Sequence, residues 1–380
     1  MPQQTILFVD HAPSLGGAER SLLLLLERLP AQNWTCALAG VPGTLLEEAA
    51  QRGAAVYPLH LPRLKRSPRF ALDVWQSAQA IAQVARQTKA SLLYANTVRA
   101  AIYAALAAKI ARRPFIWHMR DFWLSETRPR RLWFDTVGKH LLLGAARCVI
   151  ANSQATAAHL PTSSKVHIIH NGVDVSLFDP ALDGRDFRRR CHISAHAPLV
   201  GVVGRLRPWK GQAAFLQMAA LVRQQAPGAH FLIVGGDPFQ LADGYTQELD
   251  ALAQSLHLAD HVTFVGQTHE VAAALAALDV FVHPGQPEPF GLVNIEAMAM
   301  AKPVVAFAHG ALPEIVQDGV TGLLCPSDDA AALATAVLAL LEDDDRRRNL
   351  GAAGRQRVLE NFTAARMAAE VAELLASVTG

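Results

Sequence analysis

The sequence predicts an α/β protein built from two doubly wound, Rossmann-like domains, and three observations carry that expectation. Short apolar runs alternate with Ala- and Leu-rich stretches of helical period from residue 5 onward, the pattern of βαβ units in a parallel sheet. The alternation breaks in a charged, turn-prone interval, residues 179–198, which holds Asp183-Gly184 and the run Arg188-Arg189-Arg190. It then restarts, and a chain of 380 residues has room for two domains of ordinary size.

In chain order, the apolar run 5–9 reads as a strand, the Gly-containing stretch 11–17 as a loop, and 18–29 as a helix, because its leucines recur with helical period. Runs of strand type follow at 35–39, 54–59, 91–94, 115–118, 148–151 and 166–169, with helices at 72–89 and 99–110 between them. After the interval, strands are expected at 199–204, 230–234, 261–265, 280–283 and 303–308, and helices at 212–225, 271–278 and 292–301. Two amphipathic helices, 328–341 and 345–360, precede a last one at 364–377. The expected domains are therefore 1–180 and 181–361, with the terminal segment 362–380 packing back on the first. Two such domains are expected to face each other across a cleft, with their strand C-terminal ends, and so their binding loops, lining it.

Composition excludes several classes. At 51% hydrophobic and 18% charged residues and mean hydropathy +0.17, the chain is not a disordered polar sequence. Cys36, Cys148, Cys191 and Cys325 form no C-x-x-C pair, which excludes a zinc knuckle or disulfide framework and fits a reducing cytoplasm. The leucine run 22–26 is flanked by charge and too short for a signal or a membrane span. The net charge of +2 hides an asymmetry: residues 1–190 hold 24 Lys and Arg against 13 Asp and Glu, and the remainder 11 against 20. A basic first half implies an anionic partner, whether a membrane surface, a phosphorylated substrate or a nucleic acid.

Three loops carry candidate chemistry. In Ser14-Leu15-Gly16-Gly17-Ala18-Glu19-Arg20 the paired glycines let backbone approach a ligand at a helix N-terminus. This is not G-x-G-x-x-G, so the nicotinamide and flavin fingerprint is missing. In the second loop, from Gly204 to Gly211, Arg205 follows a strand and Lys210 precedes a helix. A guanidinium fork plus an ammonium suits a diphosphate, and no P-loop is present. The third loop, His283 to Gly291, leads into a helix, and Glu288 and Glu296 bracket that transition. Helix N-terminal amides can hold a phosphate while both carboxylates accept hydroxyls. The acidic run Asp343-Asp344-Asp345 reads as a solvated helix boundary.

With these motifs in place the chain resembles the retaining GT-B glycosyltransferases of family 4, also called glycosyl transferases group 1. The matching pieces span nearly the whole chain: Gly16-Gly17, His118, Asn152-Ser153, Asn171 to Asp174, Gly204-Arg205 with Lys210-Gly211, Glu288 to Glu296, Gly310 to Glu314 and Asp318 to Gly322. The resemblance implies a nucleotide-diphospho-sugar held mainly by the second domain and a glycan or lipid-linked acceptor held by the first, with no cofactor and no metal. By motif, Arg205 and Lys210 hold the diphosphate, Glu288 the donor sugar and Glu296 the ribose. The Leu292 and Val293 amides take the distal phosphate, with Gly16, Gly17, Phe290 and Gly291 also on the donor side. His118 sits by the transferred sugar and joins Glu288, Arg205 and Lys210 as a catalytic group. Arg120, Asp121, Asn152 and Ser153 are assigned to the acceptor. The Gly310 loop departs from the pattern: Ala311 stands where many relatives carry a second glycine. Two rival readings share the shape, a sugar-nucleotide epimerase and a non-catalytic sugar-nucleotide or glycan-binding protein.

The basic half has an aromatic component. Arg112, Arg113, Arg120, Arg128, Arg130 and Arg131 interleave with Trp117, Trp123, Trp133 and Phe134, and a second cluster holds Arg63, Lys65, Arg66 and Arg69. Cations with interfacial aromatics suit an anionic bilayer, giving a cytoplasmic protein peripheral to the membrane; an anionic acceptor or a solvated basic face are the alternatives. No recognition motif accompanies the charge, so no nucleic acid partner is expected.

Overall fold

The structure, a computed structural model, describes residues 4–62, 69–122, 132–236 and 244–379. The chain divides into two compact units, 1–172 with 364–380, and 173–363. In the first, strands β1 (Gln4–Val9), β2 (Trp34–Gly40), β3 (Ala55–Pro58), β4 (Leu92–Ala95), β5 (Phe115–Met119), β6 (Cys148–Ala151) and β7 (Val166–Ile168) form a parallel sheet in the order β3-β2-β1-β4-β5-β6-β7. In the second, β8 (Leu199–Val203), β9 (His230–Val234), β10 (Val262–Gly266), β11 (Val280–His283), β12 (Val304–Phe307) and β13 (Gly322–Cys325) form another, ordered β10-β9-β8-β11-β12-β13. Each order reverses once, between β1 and β4 and between β8 and β11, and loops leaving the C-terminal ends there splay apart to leave a crevice.

Parallel strands covered on both faces read as continuous apolar runs, and alternate residues go to opposite cores. Ile6 and Phe8 point into one core with the helices Gly17–Arg28, Thr44–Gln51 and Ala364–Thr379. Leu7 and Val9 point into the other, with Phe70–Gln87, Val98–Ala111 and Leu132–Ala145. In the second unit Val200 and Val202 pack under Gln212–Gln225, Tyr245–Ser255 and Ala330–Leu341. Leu199, Leu232 and Val234 pack on the other face with Val271–Ala277 and Leu292–Ala299.

The division between units falls after Gly172, not at 180, and the charged interval is not a free linker. Phe187 is buried in the second core. The Arg188 Nε donates to the Ala277 carbonyl at 2.8 Å and Nη2 to Asp279 at 2.9 Å. Charge pattern misled here because a buried arginine with carbonyl and carboxylate partners is satisfied inside a core. Asp343, by contrast, caps the helix Asp344–Asn361 by accepting from the Arg346 amide, in keeping with a solvated helix boundary. The terminal helix Ala364–Thr379 lies in the first unit, where Met367, Ala368, Val371 and Leu375 bury its apolar face.

Replacing Leu375, fully buried in that face, with Ala should destabilise the first unit by about 2–5 kcal/mol. Denaturant unfolding should then resolve two transitions, with the one belonging to residues 173–363 unmoved.

Candidate active site

In the second unit three loops converge on one carboxylate. The loop after β8 ends in Gly211, at φ 77°, and a Cβ there would overlap the Pro284 carbonyl in the loop after β11. The Gln286 amide donates back to the Trp209 carbonyl at 2.7 Å. Gly310, after β12, has φ 57°, and a Cβ there would stand 2.6 Å from the Glu288 carbonyl oxygen. The Ala311 amide donates to that same oxygen at 3.0 Å. Backbone thus holds Glu288 from two sides, at places where only glycine leaves room.

The side chains complete the arrangement. Lys210 donates to the Glu288 carboxylate as an ion pair, with the two side chains 20% and 12% exposed. His283 Nε2 lies 3.7 Å from the same oxygen. Burial opposes the Glu288 charge, but Lys210, His283 and Arg205 outweigh it, and its carboxyl is held below the usual carboxylate value. Burial, with help from Lys210, pushes His283 down to about 4 against the pull of Glu288, so at neutral pH the imidazole is uncharged. Nε2 of His283, Oδ1 of Asn294 and both ring nitrogens of His309 are buried without hydrogen-bond partners. Buried polar atoms are rarely left so, and their grouping around the Glu288 loop is the mark of a site shaped for a polar ligand.

Gly291, at φ 80°, starts the helix Leu292–Ala299. That helix turns its first-turn amides toward the loop's end, which suits an anion. Glu296 stands half-buried on it. Phe290 differs from its expected part: its ring is buried against Phe362, with centroids 6.1 Å apart, so only its backbone can face a ligand.

The first unit holds a second polar centre at its own strand reversal. Asp10, Asn96 and Arg120 each stand just past the end of a neighbouring strand, β1, β4 and β5, and all are buried. Asn96 Nδ2 donates to Asp10 at 2.7 Å, and Arg120 Nε donates to Asn96 Oδ1 at 2.6 Å. Arg120 Nη1 reaches Ser21 at 2.6 Å and also Asn171, while Nη2 has no partner. His118, on β5, is fully buried; its Nδ1 bonds the Tyr94 hydroxyl and its Nε2 is unpartnered. Burial first, and then the Arg120 charge, push the His118 pKa well below its ordinary value. The ring is therefore neutral at physiological pH.

Three of the other residues expected to bind substrate, Gly16, Asn152 and Ser153, have visible structural tasks. Gly16 caps the helix Gly17–Arg28, and its amide donates to Glu19 Oε2 at 2.8 Å; a Cβ there would crowd that oxygen. Asn152 ties the Arg120 carbonyl at 3.1 Å, and Ser153 caps the short helix Gln154–Ala157. Asp121 is exposed. Of the basic clusters, Arg63, Lys65, Arg66, Trp123, Arg128, Arg130 and Arg131 lie outside the described residues, as do the side chains of Trp133 and Phe134. Sequence reasoning missed Asp10, Asn96, Ser21, His283, Asn294 and His309. The available signal was a polar residue at the C-terminal end of an apolar strand, repeated on neighbouring strands.

Two parallel sheets of this topology, each with a polar centre at its strand reversal, define a GT-B protein. Residues 185–357 match the model of the family described as Glycosyl transferases group 1, and 15–177 that of Glycosyltransferase Family 4. The chain is 36% identical over 225 residues to the alpha-maltose-1-phosphate synthase of Mycolicibacterium smegmatis, covering 57% of each chain. It is 34% identical over 232 residues to that organism's GDP-mannose-dependent alpha-(1-6)-phosphatidylinositol monomannoside mannosyltransferase, covering 59% of each. The matches thus span less than two thirds of these relatives' length. A crystal structure of Anabaena HepE in complex with UDP and glucose superposes with TM-score 0.83 at 28% identity, covering 98% of this chain and 99% of that one. The chain belongs to the family 4, group 1 glycosyltransferases with the GT-B fold.

Burial, then the Asp10 charge, push Glu19 up from 4.5 to about 8. The protonated form is the one the fold favours, so the stability it contributes is present below about pH 4.5 and is lost as pH rises through about 8. Urea unfolding should show stability falling across that window, and Glu19→Gln should flatten the fall; an equally steep decline in the variant would contradict the assignment.

Proposed function

We propose that the protein moves a sugar from a nucleotide-diphospho-sugar to an acceptor hydroxyl, with retention at the anomeric carbon and without a metal ion. The observation that carries this reading is the convergence of three strand-end loops on Glu288, with Lys210 paired to it. Glu288 accepts hydroxyls of the donor sugar, and Lys210 and Arg205 neutralise the diphosphate. The Leu292 and Val293 amides receive the distal phosphate, and Glu296 takes the ribose. The bond from the anomeric carbon to the phosphate oxygen breaks as the bond to the acceptor oxygen forms on the same face. The acceptor proton passes to the departing diphosphate. Charge then gathers on that leaving oxygen, and fixed cations beside it lower the barrier.

The first unit supplies the acceptor side. A neutral His118 can exchange a hydrogen bond with a sugar hydroxyl through Nε2 without carrying a charge, and Arg120 Nη2 is a buried donor. Membership of relatives in phosphatidylinositol mannoside and lipopolysaccharide core synthesis supports a glycolipid or cell-envelope polysaccharide product. Among the described residues no helix is long and apolar enough to cross a membrane, and the basic first half supports work at the inner membrane face.

Thermal unfolding with UDP, GDP, ADP, TDP or CDP and their sugar conjugates, in chelator, should show a rise for one nucleotide family, since ligands of the native state stabilise it. With that donor, Glu288→Gln and Lys210→Ala should each lower turnover about 100- to 1000-fold, with the fold intact. Near wild-type turnover in both would overturn the site, and an altered sugar released without acceptor would identify an epimerase.

A further inference from the structure

The N-terminal edge of the first sheet, opposite the strand ends that carry the polar centre, holds a feature the transfer reaction does not use. An open pocket of about 380 Å³ lies there, lined by Lys109, Arg112, Arg113, Phe115, Arg147 and Lys165 with small apolar neighbours. Phe115 opens β5, Arg147 immediately precedes β6, and Lys165 precedes β7. The length of β5 sets this pocket roughly 15 Å from the Arg120 end of the sheet.

Among the described residues five cations line it, and no carboxylate does. Among the described residues none of the five forms an ion pair. Structure accounts for one of them: Lys165 Nζ donates to the Ala146 carbonyl at 2.9 Å, with Leu143 and Gly144 carbonyls at 3.4 and 3.3 Å, closing the end of the helix Leu132–Ala145. The helix Val98–Ala111 also ends there, with Arg112 at φ 53° as its cap. Two helix C-termini offer about half a negative charge each, so among the described residues roughly four positive charges remain uncompensated. Like charges held together cost stability unless an anion joins them.

We propose that this pocket is a binding site for a phosphate-bearing ligand, separate from the donor and acceptor centres. A phosphate monoester brings about two negative charges and three acceptor oxygens. Guanidinium forks such as Arg112, Arg113 and Arg147 are the donors that match it, and a volume near 380 Å³ admits one small head group rather than a polymer. The phosphate arrives either as a lipid head group or as a free phosphorylated molecule. Leu141, 68% exposed, lies one helical turn before Ala145 of the pocket lining and so on the same helix face, where a bilayer's acyl boundary would cover it.

The test uses the full chain and the exposed pair Arg113→Glu with Arg147→Glu, with Lys109→Glu as a second variant. Binding is measured by sedimentation with phosphatidylglycerol vesicles and by equilibrium dialysis against inorganic pyrophosphate. At least one ligand should bind wild type and lose about tenfold or more in affinity in both variants, since each basic residue near an anionic surface contributes about 1 kcal/mol. Donor turnover on a soluble acceptor should be unchanged. Binding to vesicles alone assigns the lipid source, and to pyrophosphate alone the free one. Lys210→Ala separates the sites: pyrophosphate binding lost there but kept in Arg113→Glu with Arg147→Glu would overturn the proposal. So would binding of neither ligand, or vesicle binding equal in wild type and both variants.

Discussion

Backbone touching backbone, without side chains between, is the contact on which the second unit's site depends. Gly211 against Pro284 and Gly310 against Glu288 draw together loops that leave three different strands. Any Cβ at these two positions would force the loops apart, and Glu288 would lose the spacing that brings it to Lys210. The ion pair is therefore a result of the packing and not its cause. Taken alone a half-buried pair of this kind gives little net stability, because desolvation offsets most of the attraction. Its value is positional: a carboxylate kept ionised and an ammonium kept beside it.

The first unit solves a related problem with different chemistry. Its strand reversal is organised by a buried guanidinium, with Asn96 passing hydrogen bonds from Arg120 to Asp10. Burying an arginine is tolerable only when most of its donors are met, and Ser21, Asn96 and Asn171 meet Nε and Nη1. Nη2 is the exception, as His118 Nε2 is on the adjoining residue pair. Unpartnered buried polar atoms thus stand at the polar centre of each unit, Arg120 Nη2 and His118 Nε2 in the first and His283 Nε2 and Asn294 Oδ1 in the second.

Much of this was legible in the chain. Apolar runs at 148–151, 230–234 and 280–283 and the helix 212–225 coincide with observed elements, because parallel strands buried on both faces read as unbroken apolar runs. The strand Gly322–Cys325 and the helices Thr44–Gln51, Tyr245–Ser255 and Leu132–Ala145 went unread. The first begins at a glycine whose Cβ would meet the Val304 carbonyl, a tertiary demand invisible to local pattern. The loop residues Lys210, Glu288 and Glu296 were readable as a motif. Asp10 and Asn96 were not, since each is a lone polar residue whose meaning comes from the neighbouring strand. Ser153 and Gly16 show the converse: motif residues whose hydrogen bonds go to helix ends.

The terminal helix has a consequence for the order of events during synthesis. Residues 364–380 complete a core begun by residues 1–172, while the intervening 173–363 close on themselves through the Val173 amide and the Phe362 carbonyl. The ribosome therefore finishes the second unit before the first has all its parts. Until residues 364–380 leave the exit tunnel, Leu22 and Leu26 of the helix Gly17–Arg28 lack the apolar face of Met367, Val371 and Leu375. Of these two units the one begun earlier matures later, and chains cut short before residue 364 carry a finished second unit with an open first one.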